Sequence, residues 1–301
     1  MNDLRQAFEE HRNLLFTIAY EMLGSAHDAE DVVQETWLRW DAVTSHEERA
    51  TSVRDPRAYL ARITTNLALD RFRALQRRKE TYVGPWLPEP LLTAPDVADD
   101  VELADSVSMA MLLVLDTLNP TERAVFVLRE VFGFGYDEIA AAVDKSEPAV
   151  RQVLSRARHH VQERRPRRVP EADADLVLER FLAAAQGGDL QQLMDVLAPE
   201  VVLISDGGGV KQAALRPIVG RDKVLRWLFG VMTKNSGMEM RVDVAEVNGQ
   251  KGMRFFLDDE LDVVSTVRID DGLVTEIYFV RNPAKLAHLG AEGERGVVLE
   301  R

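Results

Sequence analysis

Four prolines between Tyr82 and Asp105, at positions 85, 88, 90 and 95, forbid a continuous helix there and divide the helix-patterned part of the chain in two. An arginine-rich helical segment lies on each side. The first is Asp55–Lys79, DPRAYLARITTNLALDRFRALQRRK; the second is Ser146–Arg168, SEPAVRQVLSRARHHVQERRPRR. The whole chain carries a formal net charge of -13. Positive charge gathered on a few helices of an acidic protein points to local contact with a polyanion. The divider is itself acidic, with Asp96, Asp99, Asp100, Glu102 and Asp105, and repels DNA. Trp86 and Leu87 stand out in it, because a large aromatic in a proline-rich stretch docks against something that buries its ring.

A length of 301 residues predicts two or three domains, and 46% apolar residues suffice for real cores. With no cysteine there are no disulfides or thiolate metal sites, and no metal is expected. No apolar run approaches the roughly 20 residues of a membrane span, and the amino terminus lacks a signal-peptide core. The expectation is a soluble, cytoplasmic protein without membrane contact.

In the first module, Leu4–Leu23 has helical spacing and ends at Gly24, with Ser25 placed to cap the next helix. That helix, Asp28–Trp40, puts Val32, Val33, Thr36, Trp37 and Trp40 on one side. Asp28, Asp31, Gln34, Glu35 and Arg39 fall on its polar side. Asp55-Pro56 starts the first basic helix, whose buried stripe is Leu60, Ile63 and Leu67. Asn66, Asp70, Arg73 and Arg77 recur on another face, and Arg71, Arg78 and Lys79 extend it. Such side chains neutralise phosphates or touch separated bases; Asp70 also suits a pair with Arg73 or Arg77.

In the second module, Met109–Leu118 reads as a helix and Asn119-Pro120-Thr121-Glu122 as the start of another, broken at Gly133 and Gly135. Tyr136–Val143, a tight Asp144-Lys145 turn and a Ser146 cap give helix-turn-helix spacing. The last helix buries Val150, Leu154, Ala157 and Val161. Arg151, Gln152, Ser155, Arg156, Arg158 and His159 form the opposite arc, suited to a major groove.

Together these segments resemble an extracytoplasmic-function sigma factor over roughly the first 165 residues. DAEDVVQETWLRW resembles the family's core-polymerase-binding helix, and AYLARITTNLALDRFR the helix beside its −10 reader. LNPTERAVFVLREVFGFGYDEIAAAVDKSEPAVRQVLSRAR resembles its −35-reading domain. The family often has glycine where Asp144 stands, and aspartate tolerates the left-handed turn better than most residues. The resemblance implies a dissociable RNA polymerase subunit with core polymerase and promoter DNA as partners. Asp31, Gln34, Glu35 and Trp37 would meet polymerase. Asn66, Asp70, Arg71 and Arg73 would handle the −10 element, and Arg151, Gln152, Ser155, Arg156 and Arg158 the −35 element.

Beyond Pro170 the pattern changes. Helices at Asp173–Gln186, Asp189–Leu197 and Gly220–Met232 accompany strands at Val201–Ile204, Met238–Val247, Gly252–Leu257, Leu261–Ile269 and Leu273–Val280. Asn248-Gly249 and Asp271-Gly272 read as hairpin turns. Helices first and then a curved antiparallel sheet predict an α+β cone. The layout resembles the SnoaL-like branch of the NTF2-like fold. Its fusion to a sigma factor resembles a group with a built-in regulatory tail. The group's motifs are matched by WLPEP (Trp86, Leu87, Pro88, Glu89, Pro90), DGGG (Asp206, Gly207, Gly208, Gly209) and NPxKL (Asn282, Pro283, Lys285, Leu286). Lysine follows the glycines only at Lys211, after Val210, and Ala284 stands where an acid is common.

The expected architecture is therefore two all-α sigma modules followed by an α+β cone. The divisions are 1–80, a linker at 81–105, 106–165, the cone at 172–290 and a tail at 291–301. The expected function is an alternative sigma factor modulated in cis by its tail, neither an enzyme nor cofactor-dependent. Trp86 is expected to meet the Asp206 loop. Two other readings of the cone are a small-molecule sensor and, less favoured, an acid–base enzyme using Asp206, Asp258 or Asp262.

Overall fold

The computed structural model describes residues 2–46, 53–93, 106–165, 170–187, 190–234, 237–289 and 298–299. The acidic run from Asp96 to Asp105, residues 166–169 and most of the tail lie outside the described residues.

The first module is α1 (Asn2–Leu23), α2 (Ala26–Thr44) and α3 (Pro56–Glu80). Gly24 takes a positive φ of 64° after α1, and the Ser25 side chain then accepts from the Asp28 N–H to start α2. Asp55 does the same for α3 through the Ala58 N–H, with Pro56 in the first turn. Leu15, Ile18, Tyr20, Trp40 and Leu60 are completely buried between the three helices.

The second module is α4 (Met109–Leu115), α5 (Pro120–Phe126), a wider π-helical turn at Val127–Val131, α6 (Tyr136–Val143) and α7 (Glu147–Gln162). A reciprocal capping box between Asn119 and Glu122 opens α5. Asp144 takes the left-handed conformation expected of it, φ 52°. Two boundaries differ from the sequence reading. Helix α4 ends at Leu115 rather than Leu118, and the helix before Gly133 widens into the π turn. The modules are not separate bodies: Ala124, Leu128, Ile139, Val143 and Leu154 belong to the same apolar core as Leu15, Trp40 and Leu60.

The remaining elements are α8 (Glu171–Gly187), α9 (Leu190–Val196), β2 (Leu197–Asp206), β3 (Ile218–Val219), α10 (Arg221–Lys234), β4 (Met240–Val247), β5 (Gln250–Leu257), β6 (Glu260–Asp270), β7 (Leu273–Val280) and α11 (Pro283–Leu286). The sheet order is β3-β2-β7-β6-β5-β4, extended by β1 (Leu92–Thr93) and β8 (Val298–Leu299). The sheet is mixed, not antiparallel throughout, because β2 runs parallel to β7 with Leu203 opposite Ile277. The long path through β3, α10 and three strands supplies the crossover that parallel pairing requires. Asn248-Gly249 and Asp271-Gly272 both have the paired positive φ of a tight hairpin. So does Asp258-Asp259, which has no glycine to announce it.

One face of the sheet packs with α8, α9 and α10 around Phe181, Leu193, Val224, Val263 and Phe279. The other packs against the linker and α4, where Leu87, Met109, Val264, Tyr278 and Val280 form a second core. The linker is thus part of the cone: Leu92 in β1 pairs with Val247.

Candidate nucleic-acid interface and the linker clamp

Gln34 and Glu35 are exposed on α2, and Glu35 pairs with Arg39. Trp37 is half-buried because it packs on Phe8, with ring centroids 4.9 Å apart. Asn66, Asp70, Arg71 and Arg73 are exposed on α3. Arg73 pairs with Asp70 at 2.6 Å, and the Asn66 amide donates to the Arg62 carbonyl. Two residues expected to serve different partners are joined: Arg71 bridges Asp28 and Asp31, the latter at 2.6 Å. The surfaces expected to face polymerase and the −10 element therefore meet in one charged strip where α2 and α3 pack.

On α7, Val150, Val153, Leu154, Ala157 and Val161 are buried, while Arg151, Gln152, Ser155, Arg156 and Arg158 are exposed. The Arg151 guanidinium lies over the Tyr136 ring, 3.7 Å from its centroid. Arg158 pairs with Glu130 at 2.7 Å, while Arg156 sits 3.8 Å from Glu122.

The motifs of the linker and cone meet in one buried cluster. Asp206 ends β2 completely buried and accepts from the Tyr82 hydroxyl (2.6 Å), the Leu87 N–H (2.9 Å) and the Lys285 ammonium (2.7 Å). Lys285, 3% exposed, also donates to the Leu87 carbonyl and lies 3.5 Å from the Trp86 ring centroid. Asn282 caps α11 through Ala284 and donates to the Tyr82 hydroxyl. Burial pulls the Lys285 ammonium down to about 8 despite the Asp206 carboxylate beside it. The expected meeting of Trp86 with the Asp206 region takes this form: Lys285 covers the indole, and Asp206 holds the next residue's backbone.

The glycines of DGGG have separate steric duties. A side-chain carbon on Gly207 would stand 2.2 Å from the Lys211 carbonyl oxygen. Gly208 has φ 63°, and a side-chain carbon there would stand 2.4 Å from the Asn282 amide nitrogen. Gly208→Ala is therefore expected to lower the melting temperature by several degrees and to loosen the Asn282–Tyr82 contact, read by thermal denaturation and by protease cutting near Tyr82.

Glu89 of WLPEP turns the other way, toward α2, whereas Pro90 keeps its contact with the end of the cone. The Glu89 carboxylate accepts from the Ser25 hydroxyl (2.9 Å) and the His27 N–H (3.1 Å), at the positive end of α2. The Pro90 carbonyl meets His288 at 2.8 Å. Lys211 points away from the linker and pairs with Asp262.

Three participants were not singled out from the sequence. Tyr82, one residue into the linker, bridges Asp206 and Asn282. Asn248, read only as a turn residue, donates to the Tyr20 hydroxyl (2.6 Å) and the Val107 carbonyl (2.9 Å) and accepts from the Leu91 N–H. Arg123, 1% exposed, joins the modules by donating to the Glu21 carbonyl and pairing with Asp116. Only Asn248 had a local signal, its Asn-Gly turn, and that concerned its backbone.

Comparison with known proteins agrees with this organisation. Residues 7–78 match the Sigma-70 region 2 family and residues 108–161 the Sigma-70 region 4 family. The chain is 35% identical to the ECF RNA polymerase sigma factor SigJ of Mycobacterium tuberculosis over 292 residues, covering 92% of this chain and 91% of that protein. It is 31% identical to a probable ECF RNA polymerase sigma factor, SigI, of the same species, covering 95% and 96%. The crystal structure of SigJ superposes with a TM-score of 0.74 at 32% identity, covering 93% of this chain and 97% of that one. Two sigma modules joined to a cone define an alternative sigma factor with a SnoaL-like carboxy-terminal domain. This chain belongs to the ECF sigma factor family, and it keeps that domain order along nearly the whole length of its relatives.

Proposed function

We propose that this chain brings core RNA polymerase to promoters in the cytoplasm through the surfaces described above, and that its cone holds the two promoter modules in a compact, promoter-incompatible arrangement. The supporting observation is the single core shared by both modules, with α7's arginine arc exposed on one and α3's polar face on the other. Promoter elements named −10 and −35 lie about 25 base pairs apart, or roughly 85 Å of duplex at 3.4 Å per base pair. Modules in direct contact do not span that distance. The compact form must open on polymerase, and the Asp206–Lys285–Leu87 clamp opposes the opening.

The carboxylates that an enzyme reading would need are engaged elsewhere. Asp206 holds the linker, Asp262 accepts from Lys211 and Arg281, and Asp258 accepts from the Glu239 N–H in a turn. Promoter recognition without catalysis by this chain is the better reading.

In transcription reconstituted with core polymerase, Gln152→Ala and Arg156→Ala are each expected to lower output from a matched promoter. At about 1–3 kcal/mol per lost base contact, the loss is roughly 5- to 150-fold. Core binding, measured by polymerase pull-down, should stay within twofold. Unchanged transcription, or equal loss of core binding, would remove α7 from the −35 role.

A further inference from the structure

The inner face of the cone encloses an apolar cavity of about 110 Å³, walled by Phe181, Leu193, Trp227, Val263 and Phe279. It adjoins a wider cleft of about 840 Å³, whose lining includes Lys211, Arg226 and Lys234. Asp262 and Arg281 line both spaces and form the neck between them. At the neck the Asp262 carboxylate is shared by two cations: Lys211 at 2.9 Å on one oxygen, and Arg281 at 2.5 Å on the other. The Arg281 side chain is only 13% exposed and that of Asp262 6%.

The charge balance at the neck is one carboxylate against two cations, a net charge of +1, with Arg281 and Asp262 largely buried and the Lys211 side chain 43% exposed in the cleft. A single negative charge at the neck offsets the surplus and can accept hydrogen bonds from both cations. The cleft as a whole repeats the balance: Lys211, Arg226, Lys234 and Arg281 against Asp258, Glu260 and Asp262. The cavity behind the neck sets the other half of the ligand. An apolar cavity of about 150 Å³ holds one benzene ring, so this smaller one takes at most a single unsubstituted ring or a chain of a few carbons. We propose that the cone binds a compact apolar monocarboxylate, its hydrocarbon part in the Phe181–Phe279 cavity and its acid group at Arg281 and Lys211.

The neck and the clamp are built from the same two segments. The Arg281 N–H donates to the Asp206 carbonyl at 2.7 Å, one residue before Asn282, and the Lys211 N–H donates to the Gly207 carbonyl at 3.0 Å. A ligand that moves Arg281 or Lys211 therefore acts on the strand end that carries Asp206 and on the start of α11. This consequence rests on the clamp's proposed role; the binding does not, and is tested without polymerase or DNA.

The probes are benzoate, benzyl alcohol and benzylamine, titrated into the full-length chain by calorimetry. The benzoate should bind at least tenfold more tightly than the alcohol, and the amine more weakly than either. Arg281→Gln and, separately, Lys211→Gln should bring the benzoate toward the alcohol's affinity while leaving the alcohol within twofold. Lys211, with a 43% exposed side chain, serves if Arg281→Gln fails to fold. The proposal is overturned if none of the three binds below millimolar concentration. It is equally overturned if benzoate and alcohol bind alike, or if the benzoate's preference survives substitution at the neck.

Discussion

Asp206→Ala should release the linker from the cone while leaving both domains folded. The substitution takes the acceptor from the Tyr82 hydroxyl and the Leu87 N–H, and leaves Lys285 as a cation with 4% of its side chain exposed and no carboxylate. Breaking a buried pair by removing one partner costs about 3–5 kcal/mol, because the other charge stays uncompensated. At about 1.4 kcal/mol per tenfold, the clamp equilibrium shifts by two to three orders of magnitude or more. Limited proteolysis between Tyr82 and Thr93 should accelerate accordingly, and promoter output with core polymerase should rise several-fold. Pairing the change with Lys285→Met should restore part of the protection, since a pair replaced by apolar groups of similar shape is far less costly than a broken one. Wild-type protease resistance in Asp206→Ala would show that the clamp contributes nothing. A double variant weaker than the sum of the singles would show that the charge was not the problem.

Local chemistry made much of this fold legible. Ser25, Asp55, Asn119 and Ser146 cap the helices their positions announce, and Asp144 takes the left-handed turn. Those outcomes depend on a few neighbouring residues and their backbone angles. WLPEP, DGGG and NPxKL were legible as motifs, but their geometry was not. Asp206 and Leu87 are 119 residues apart, and Asn248 and Tyr20 are 228 apart. Nothing local encodes which buried donors share an acceptor. The Arg71–Asp31 bridge has the same origin: each residue was assigned to a different surface from its own helix, and the packing of α2 on α3 joined them. The parallel pairing of β2 was invisible for a related reason. Hairpin turns declare antiparallel neighbours, whereas β2 finds β7 only after the chain has crossed the domain.

The contact between the modules should weaken as pH rises, and Glu21 should be the cause. Glu21 is completely buried on α1, takes one hydrogen bond from Ser106, and has its second oxygen without a partner. Burial pushes its carboxyl up to about 8, against the opposing pull of Ser106 and Arg123. A folded pKa raised above the unfolded value means that the native state holds the proton longer. Its stabilising share is complete at acidic pH and is lost as pH climbs toward and through 8. Other buried groups run the opposite way; Lys79, lowered chiefly by burial, adds stability as pH rises toward its ordinary value near 10.5. His288, lowered chiefly by burial, adds stability as pH rises toward its ordinary value near 6.5. Lys285, lowered to about 8, adds stability only above that pH. The interval from about 6.5 to 8 therefore belongs to Glu21. At up to about 1.4 kcal/mol per pH unit it should remove about 2 kcal/mol there, a fall of several degrees in melting temperature. Glu21→Gln keeps the acceptor for Ser106 and cannot ionise. Its melting temperature should be nearly flat over the interval and exceed that of the wild type at about pH 8 and above. If Glu21→Gln melts with the same pH slope as the wild type, the charge on Glu21 does not govern how firmly α1 holds Arg123 and the second module.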